Sequence, residues 1–207
     1  MDRKDTWAAG DLYEPYVGRW SRLVAREFIG WLAPDPGRDW LDVGCGTGAL
    51  TQSVIETAQP RSVLGVDPSE GFLDHAAAHT PGDIASFELG SAEALPVDDA
   101  CVDVAVSGLV LNFVGDQPRA AAEIARAVRS GGTAGAYVWD YADKMELMRY
   151  FWDAAVALDP AAAELDEGPR FPICAPEPLR RLFEGAGLRD VDVRSIDVPT
   201  HFRDFDD

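Results

Sequence analysis

Trp40-Leu41-Asp42-Val43-Gly44-Cys45-Gly46-Thr47-Gly48-Ala49-Leu50 reads as an apolar strand running into a glycine-rich turn. The strand closes on a carboxylate. Glycines then stand at every second position, and a segment of helical character begins at Ala49. Glycine lets the backbone turn sharply and lets a ligand approach where a Cβ would block it. Strand, glycine turn and helix start together make a nucleotide-binding corner.

The flanking sequence repeats this grammar. Ser21–Leu32 reads as an amphipathic helix, capped by Ser21, with Val24, Phe28 and Trp31 at helical spacing. Ala49–Thr57 is a helix stopped before Pro60. Ser62–Val66 is a short buried strand ending in Asp67, and Glu70–His79 a second helix. After a turn at Pro81-Gly82, Ile84–Leu89 and Val102–Val106 read as strands. Asp116 caps a helix with Pro118 in its first turn and Ala121, Ile124, Ala125 and Val128 as its apolar stripe. Gly131-Gly132 is expected to end that helix, with Thr133–Trp139 a fifth strand. Strands alternating with helices mean βαβ units, and right-handed crossovers place helices on both faces. The fold class is therefore α/β, a Rossmann-like doubly wound, mostly parallel sheet. Beyond Trp139 the pattern loosens. Lys144–Leu158 and Glu177–Ala186 read as helices, the second stopped by Gly187, and Val191–Val198 alternates as a strand.

Composition narrows the partners. The chain has 207 residues, 47% hydrophobic, enough for one globular domain with a real core. No apolar run approaches the roughly 20 residues of a membrane span, and Met1–Thr6 lacks a secretion signal, so the expectation is cytoplasmic. The net charge of −18 repels phosphate backbones, which points to a small molecule rather than nucleic acid. Cys45, Cys101 and Cys174 are too scattered for a disulfide framework or a metal-ligand cluster, so no metal is expected. Cys45 reads as a small residue suited to a tight loop.

In an open parallel sheet ligands bind beyond the carboxyl ends of the strands. Those ends offer Asp42 and the glycine turn, Asp67, then Ser91, Ala92 and Glu93, then Ser107, Gly108 and Leu109. Asp67 ends the strand next to the turn, where a carboxylate can accept both hydroxyls of a ribose. A dinucleotide fingerprint is G-x-G-x-x-G. Here the spacing is Gly44-x-Gly46-x-Gly48, an acid precedes it and no Walker lysine follows. A cationic or zwitterionic nucleoside fits these charges better than a polyphosphate.

Four segments in this order resemble the class I S-adenosylmethionine-dependent methyltransferases, in particular the ubiquinone/menaquinone-biosynthesis branch. They are Leu41–Gly48, Gly65-Val66-Asp67-Pro68-Ser69, Gly90-Ser91-Ala92-Glu93-Ala94-Leu95-Pro96 and Val128-Arg129-Ser130-Gly131-Gly132. The resemblance implies that Asp42, Gly44, Cys45, Gly46 and Gly48 hold the methionine part of S-adenosylmethionine, and that Asp67 with Pro68 holds the ribose. Ser91, Ala92 and Glu93 would read the adenine, and Ser107, Gly108 and Leu109 would floor the methyl group. Tyr16 and Arg19 are further cofactor candidates, Arg19 toward the cofactor's carboxylate. The family usually has Asp where Ser91 stands and Pro where Ser130 stands.

The expectation is methyl transfer to a small-molecule acceptor, with S-adenosylhomocysteine as product. Two alternatives stand beside it: a cofactor-binding protein or inactive remnant without turnover, and a nucleotide-dependent oxidoreductase. Methyl transfer to an activated carbon needs mostly proximity and alignment, so a base is required only for a protonated acceptor. His201, Asp140, Tyr141, Tyr13 and Tyr16 are the base candidates, and none has a partner legible in the sequence. Residues 1–32 are expected to form an arm and helix able to close as a lid, and 33–207 the methyltransferase domain. The family's sheet usually ends with a sixth strand and an antiparallel seventh beside the fifth. Val191–Val198 suits the sixth and Phe202–Asp207 is too short and acidic for the seventh, so the domain is expected to be C-terminally truncated.

Overall fold

The computed structural model describes residues 19–80 and 82–204. Strands β1 (Asp39–Val43), β2 (Ser62–Asp67), β3 (Ala85–Leu89), β4 (Val102–Gly108) and β5 (Val128–Tyr137) form one sheet in the order β3-β2-β1-β4-β5. All four pairings are parallel. The connecting helices are α1 (Arg19–Leu32), α2 (Ala49–Ala58), α3 (Glu70–His79) and α4 (Gln117–Ala127). After β5 come α5 (Glu146–Leu158), a short α6 (Glu167–Arg170) and α7 (Pro176–Gly185).

Period-two alternation along β1 separates two cores. Leu41 and Val43 pack with Ile124 of α4 and with Leu179 and Phe183 of α7. Trp40 packs on the other face with Phe28 of α1 and Val54 of α2. Trp40, Phe28 and Leu41 are almost fully buried, each contributing on the order of 1.5–3 kcal/mol by leaving water. Asp116 caps α4 as expected and Ser69 caps α3, whereas Ser21, expected as an N-cap, lies inside α1, which already starts at Arg19. Asp116 accepts from Arg119 N at 3.0 Å and Ser69 from Phe72 N at 3.4 Å.

Two further expectations are corrected. Gly131-Gly132 does not end a helix: α4 stops at Ala127 and β5 starts at once at Val128. The glycines lie inside β5 at a register shift opposite Val102/Val104, with Gly131 at φ +81°. A Cβ on Gly132 would lie 2.5 Å from the Asp103 carbonyl, so the pair serves a bulge, which glycine tolerates. Second, Val191–Val198 forms no strand and joins no ladder among the described residues. Its alternation survives in packing. Val191 and Val193 lie against the α7-side core, Ile196 and Val198 against the α1-side core. The side-chain pattern was readable, but ladder formation requires a neighbour at pairing distance. A cavity of about 1360 Å³ instead separates this segment from β5. The chain then turns, and the Phe202 ring meets Trp20 edge-on at 5.1 Å.

Candidate functional site

β1 pairs with β2 on one side and β4 on the other, so the strand order reverses there and a crevice opens at the carboxyl ends. The Gly44–Gly48 turn occupies that point. Gly44, Gly46 and Gly48 have φ of +74°, +53° and +88°, a region that disfavours other residues. Gly44 also has a steric requirement. A Cβ there would lie 2.5 Å from the Val110 side chain. The turn is pinned by Gly44 N and Cys45 N donating to Val66 O at 2.7 and 3.1 Å, and by Gly48 N donating to Cys45 O at 2.9 Å.

Asp67 ties the turn to the next strand. One carboxylate oxygen accepts from Gly46 N at 3.0 Å and the other from Ser69 N at 2.9 Å. Each oxygen retains further lone-pair capacity. Burial raises the Asp67 pKa, against the lowering effect of those two amide bonds.

Asp42 sits at the root of the turn, 1% exposed. Thr51 Oγ1 donates to Asp42 Oδ2 at 2.6 Å, while Oδ1 is buried without a partner. Burial pushes this carboxyl up to about 7, partly countered by Thr51 and reinforced by the negative charge of Asp67. A buried carboxylate oxygen lacking a donor is costly unless a cation or donor reaches it.

The Ser91–Glu93 loop is held by its own polar groups. Ser91 Oγ accepts from Glu93 N at 3.2 Å, and Glu93 Oε1 accepts from Asp116 N at 2.8 Å, next to the start of α4. Arg119 Nε donates to Glu93 O at 3.0 Å. Ala92 is half-buried against the α4-side core. At the end of β4, Ser107 is 1% exposed and its hydroxyl donates to Val43 O at 2.9 Å. It holds β4 to β1 and does not present its hydroxyl to the crevice. Gly108 backs onto the Tyr137 hydroxyl, which a Cβ would meet at 2.5 Å. Leu109 takes φ +63°, with its N–H donating to Tyr137 O at 2.8 Å.

Burial, with Asp42 and Asp67 nearby, pushes the Cys45 thiol far above the ordinary range, so it is inert in the fold. Pro68 is exposed at the start of the β2–α3 connection. Tyr13 and Tyr16 lie outside the described residues; Arg19 opens α1, with its side chain outside them. Of the other base candidates, His201 is exposed in the tail. The Asp140 carboxylate accepts from the amides of Asp143 and Lys144 at 3.1 and 3.2 Å. Tyr141 lies 5.7 Å from the Phe171 ring, which meets Phe113 edge-on at 5.4 Å.

Three contributors escaped the sequence reading. Thr51 holds Asp42, Val110 backs Gly44, and Gly65 clears space beneath the turn, where a Cβ would lie 2.9 Å from Cys45 Sγ. Thr51 gave one signal, a polar residue on the inward face of α2. The other two roles depend on residues distant in sequence.

Residues 41–135 match the family described as methyltransferase domain. Over that stretch, slightly less than half of the chain, the protein is similar to a methyltransferase domain. The match begins in β1 and ends in β5, so it spans the turn, Asp67 and the Ser91–Glu93 loop. An uncharacterized methyltransferase of Mycobacterium tuberculosis is 40% identical over 118 residues, 57% of this chain and 46% of that relative. The demethylmenaquinone methyltransferase of Symbiobacterium thermophilum is 37% identical over 121 residues, 56% of this chain and 48% of that one. The chain thus spans about half the length of the curated relatives it matches. Among solved structures, the methyltransferase bound to the Haloferax volcanii Trm112 methyltransferase activator has a TM-score of 0.69 at 23% identity, covering 94% of this chain and 84% of that chain. A SAM-dependent methyltransferase of Thermotoga maritima gives 0.64 at 23%, covering 86% and 76%. Both share the class I methyltransferase fold with this domain. No helix among the described residues is long and apolar enough to cross a membrane, and they hold no metal-binding cluster.

Proposed function

We propose that this domain binds S-adenosylmethionine in the crevice between β1 and β4 and directs its methyl group to a small-molecule acceptor. One observation carries this reading. The unpartnered Asp42 oxygen, the left-handed glycine turn and Asp67 form an anionic cradle at the switch point. Such a cradle suits a cationic nucleoside and disfavours a polyphosphate.

The bound cofactor supplies an electrophilic methyl group on a sulfonium. The protein supplies position. The Gly44–Gly48 backbone lets the ligand approach without a Cβ in the way. Asp67 accepts the ribose hydroxyls with its remaining lone pairs, while its amide bonds fix the carboxylate plane. Asp42, backed by Thr51, offers its free oxygen to the positive end of the methionine part. The Ser91–Glu93 loop, fixed by Asp116 and Arg119, presents the Ala92 amide to the adenine. The acceptor approaches over the ends of β4 and β5, near Phe113, Tyr141 and Phe171. The relatives named for demethylmenaquinone and for malonyl-[acyl-carrier protein] support acceptors other than nucleic acid, as does the net charge of −18.

Calorimetric titration with S-adenosylmethionine and S-adenosylhomocysteine tests the cofactor, and label transfer to phenols, quinols, amines and carboxylates tests turnover. Binding weakened at least roughly tenfold by Asp67→Ala is expected, from loss of charge-assisted bonds of about 1.5–3 kcal/mol. No binding by the parent protein would sink the proposal. Binding without transfer to any acceptor class would favour the cofactor-binding protein over the enzyme.

A further inference from the structure

Ala92 sits in a turn that is held at both ends. Ala94 N donates to Ser91 O at 3.0 Å and closes the turn, a bond that makes no use of the Ala92 amide. At the first end Gly90 N donates to Asp67 O at 3.1 Å, so the turn springs from the backbone of Asp67 itself. At the second end α4 grips Leu95 through both of its backbone groups. Leu95 N donates to Glu123 Oε2 at 2.9 Å, and Leu95 O accepts from Arg126 Nη2 at 3.3 Å. The two side chains also hold each other. Arg126 Nε donates to Glu123 Oε1 at 2.9 Å and Nη2 donates to Oε2 at 2.8 Å, a bidentate pair. Arg126 Nη1 reaches on to Val97 O and Asp99 Oδ1, each at 2.8 Å.

The side chains are 13% exposed at Glu123 and 28% at Arg126, against 81% at Asp99. The grip on Leu95 is therefore shielded, whereas the Asp99 pair adds little. The bonds from Asp116 and Arg119 to Glu93, in the middle of the turn, are exposed as well. Arg126 lowers the Glu123 pKa against the raising effect of burial. All five polar atoms of the two side chains are bonded to each other or to the loop, so neither is spare for a ligand.

We propose that Glu123 and Arg126 are positioning residues for adenine recognition: with S-adenosylmethionine bound as proposed above, they fix where the Ala92 amide stands relative to Asp67. When the Leu95 end is released, the turn pivots on Gly90 and the amide leaves the base, while Asp67 keeps the ribose. Lysine in place of Arg126 keeps the charge but lacks the fork, so it cannot hold Glu123, Leu95 O and Val97 O together.

Calorimetry with S-adenosylhomocysteine and S-inosylhomocysteine tests this. Hypoxanthine has an N–H at ring position 1 and a carbonyl at position 6, where adenine has an acceptor and an amine. An amide aimed at adenine therefore rejects it. The parent protein should prefer the adenosyl ligand at least roughly tenfold, and Arg126→Lys should narrow that preference to about twofold. Glu123→Asp, whose carboxylate falls short of Leu95 N, carries the same expectation if Arg126→Lys does not fold. Hydrogen exchange in the ligand-free variant should quicken at least roughly tenfold across residues 91–95, with β1 and β4 unchanged. Weaker binding of both ligands by one common factor would keep the preference and overturn the proposal, since the pair would then serve stability alone. A parent protein that binds both ligands equally would overturn it too. Binding of neither ligand by the parent would remove the cofactor reading itself, and this proposal with it.

Discussion

Replacing Asp42 by asparagine should change how stability depends on pH more than it changes stability itself. The carboxyl is 1% exposed, and burial pushes it up to about 7, against an ordinary value of 3.8. Between those values the folded carboxyl holds a proton that the unfolded one has released. Stability therefore falls as pH rises through that window, and the fall is complete above the folded value. With about 1.36 kcal/mol per unit, the loss between pH 5 and pH 8 is roughly 2.5 kcal/mol. Asparagine keeps the shape and can accept from Thr51, but does not titrate. Its amide leaves one buried group unpaired in place of Oδ1, a pH-independent cost of about 1–3 kcal/mol. Urea unfolding of both proteins at pH 5, 6.5 and 8 should thus show the variant gaining on the parent by roughly 2.5 kcal/mol across the range. A difference that does not vary with pH would refute the burial argument for Asp42.

Cofactor binding should respond to the same group in the opposite sense. A cation beside Asp42 favours the ionised carboxyl, so S-adenosylmethionine affinity should rise on the order of tenfold from pH 6 to pH 8 and stay flat in Asp42→Asn, measured by calorimetry. Gly44→Ala should cost about 2–4 kcal/mol, because a Cβ at φ +74° meets Val110 at 2.5 Å. Tm should then fall by roughly 5–15 °C, and Val110→Ala should recover the steric share alone. Asp39 is held far below the ordinary carboxylate range, chiefly by Arg61 and then by Ser62 and Arg129. Its contribution is present above the unfolded carboxylate range and lost as pH falls below it, so Asp39→Asn should destabilise at pH 7, almost as much at pH 4 and progressively less below pH 4 in thermal melts. Iodoacetamide should modify half-exposed Cys101 before buried Cys45 and Cys174 in the folded protein, with mass spectrometry giving the order.

The legible part of the fold was the part governed by local patterns. β1, the glycine turn and α2 could be read directly, because strand burial, left-handed backbone and helix start each leave a mark within a few residues. The caps Ser69 and Asp116 behaved as the capping rule requires. The errors arose where pattern and geometry diverge. Gly131-Gly132 has the composition of a helix stop, yet it serves a bulge beside Asp103, a residue far away in the chain. Val191–Val198 has the alternation of a strand, but pairing depends on whether β5 lies within hydrogen-bond reach. In the candidate site, the family resemblance put Ser107 with Gly108 and Leu109 on the floor, without saying what its hydroxyl bonds. Its hydroxyl belongs to Val43, and only the β1–β4 register determines that.

By itself the sequence determined the α/β class, the place of the crevice and the types of group around it. These follow from residue order, since hydrophobic periodicity sets the strands and helices, and glycine spacing sets the turn. Tertiary structure decided the state of those groups. Asp67 holds the turn through Gly46, Asp42 is sealed with Thr51 and titrates near neutrality, and Cys45 is inert. Hydrogen-bond partners and desolvation come from packing between segments far apart in the chain, which no local pattern encodes.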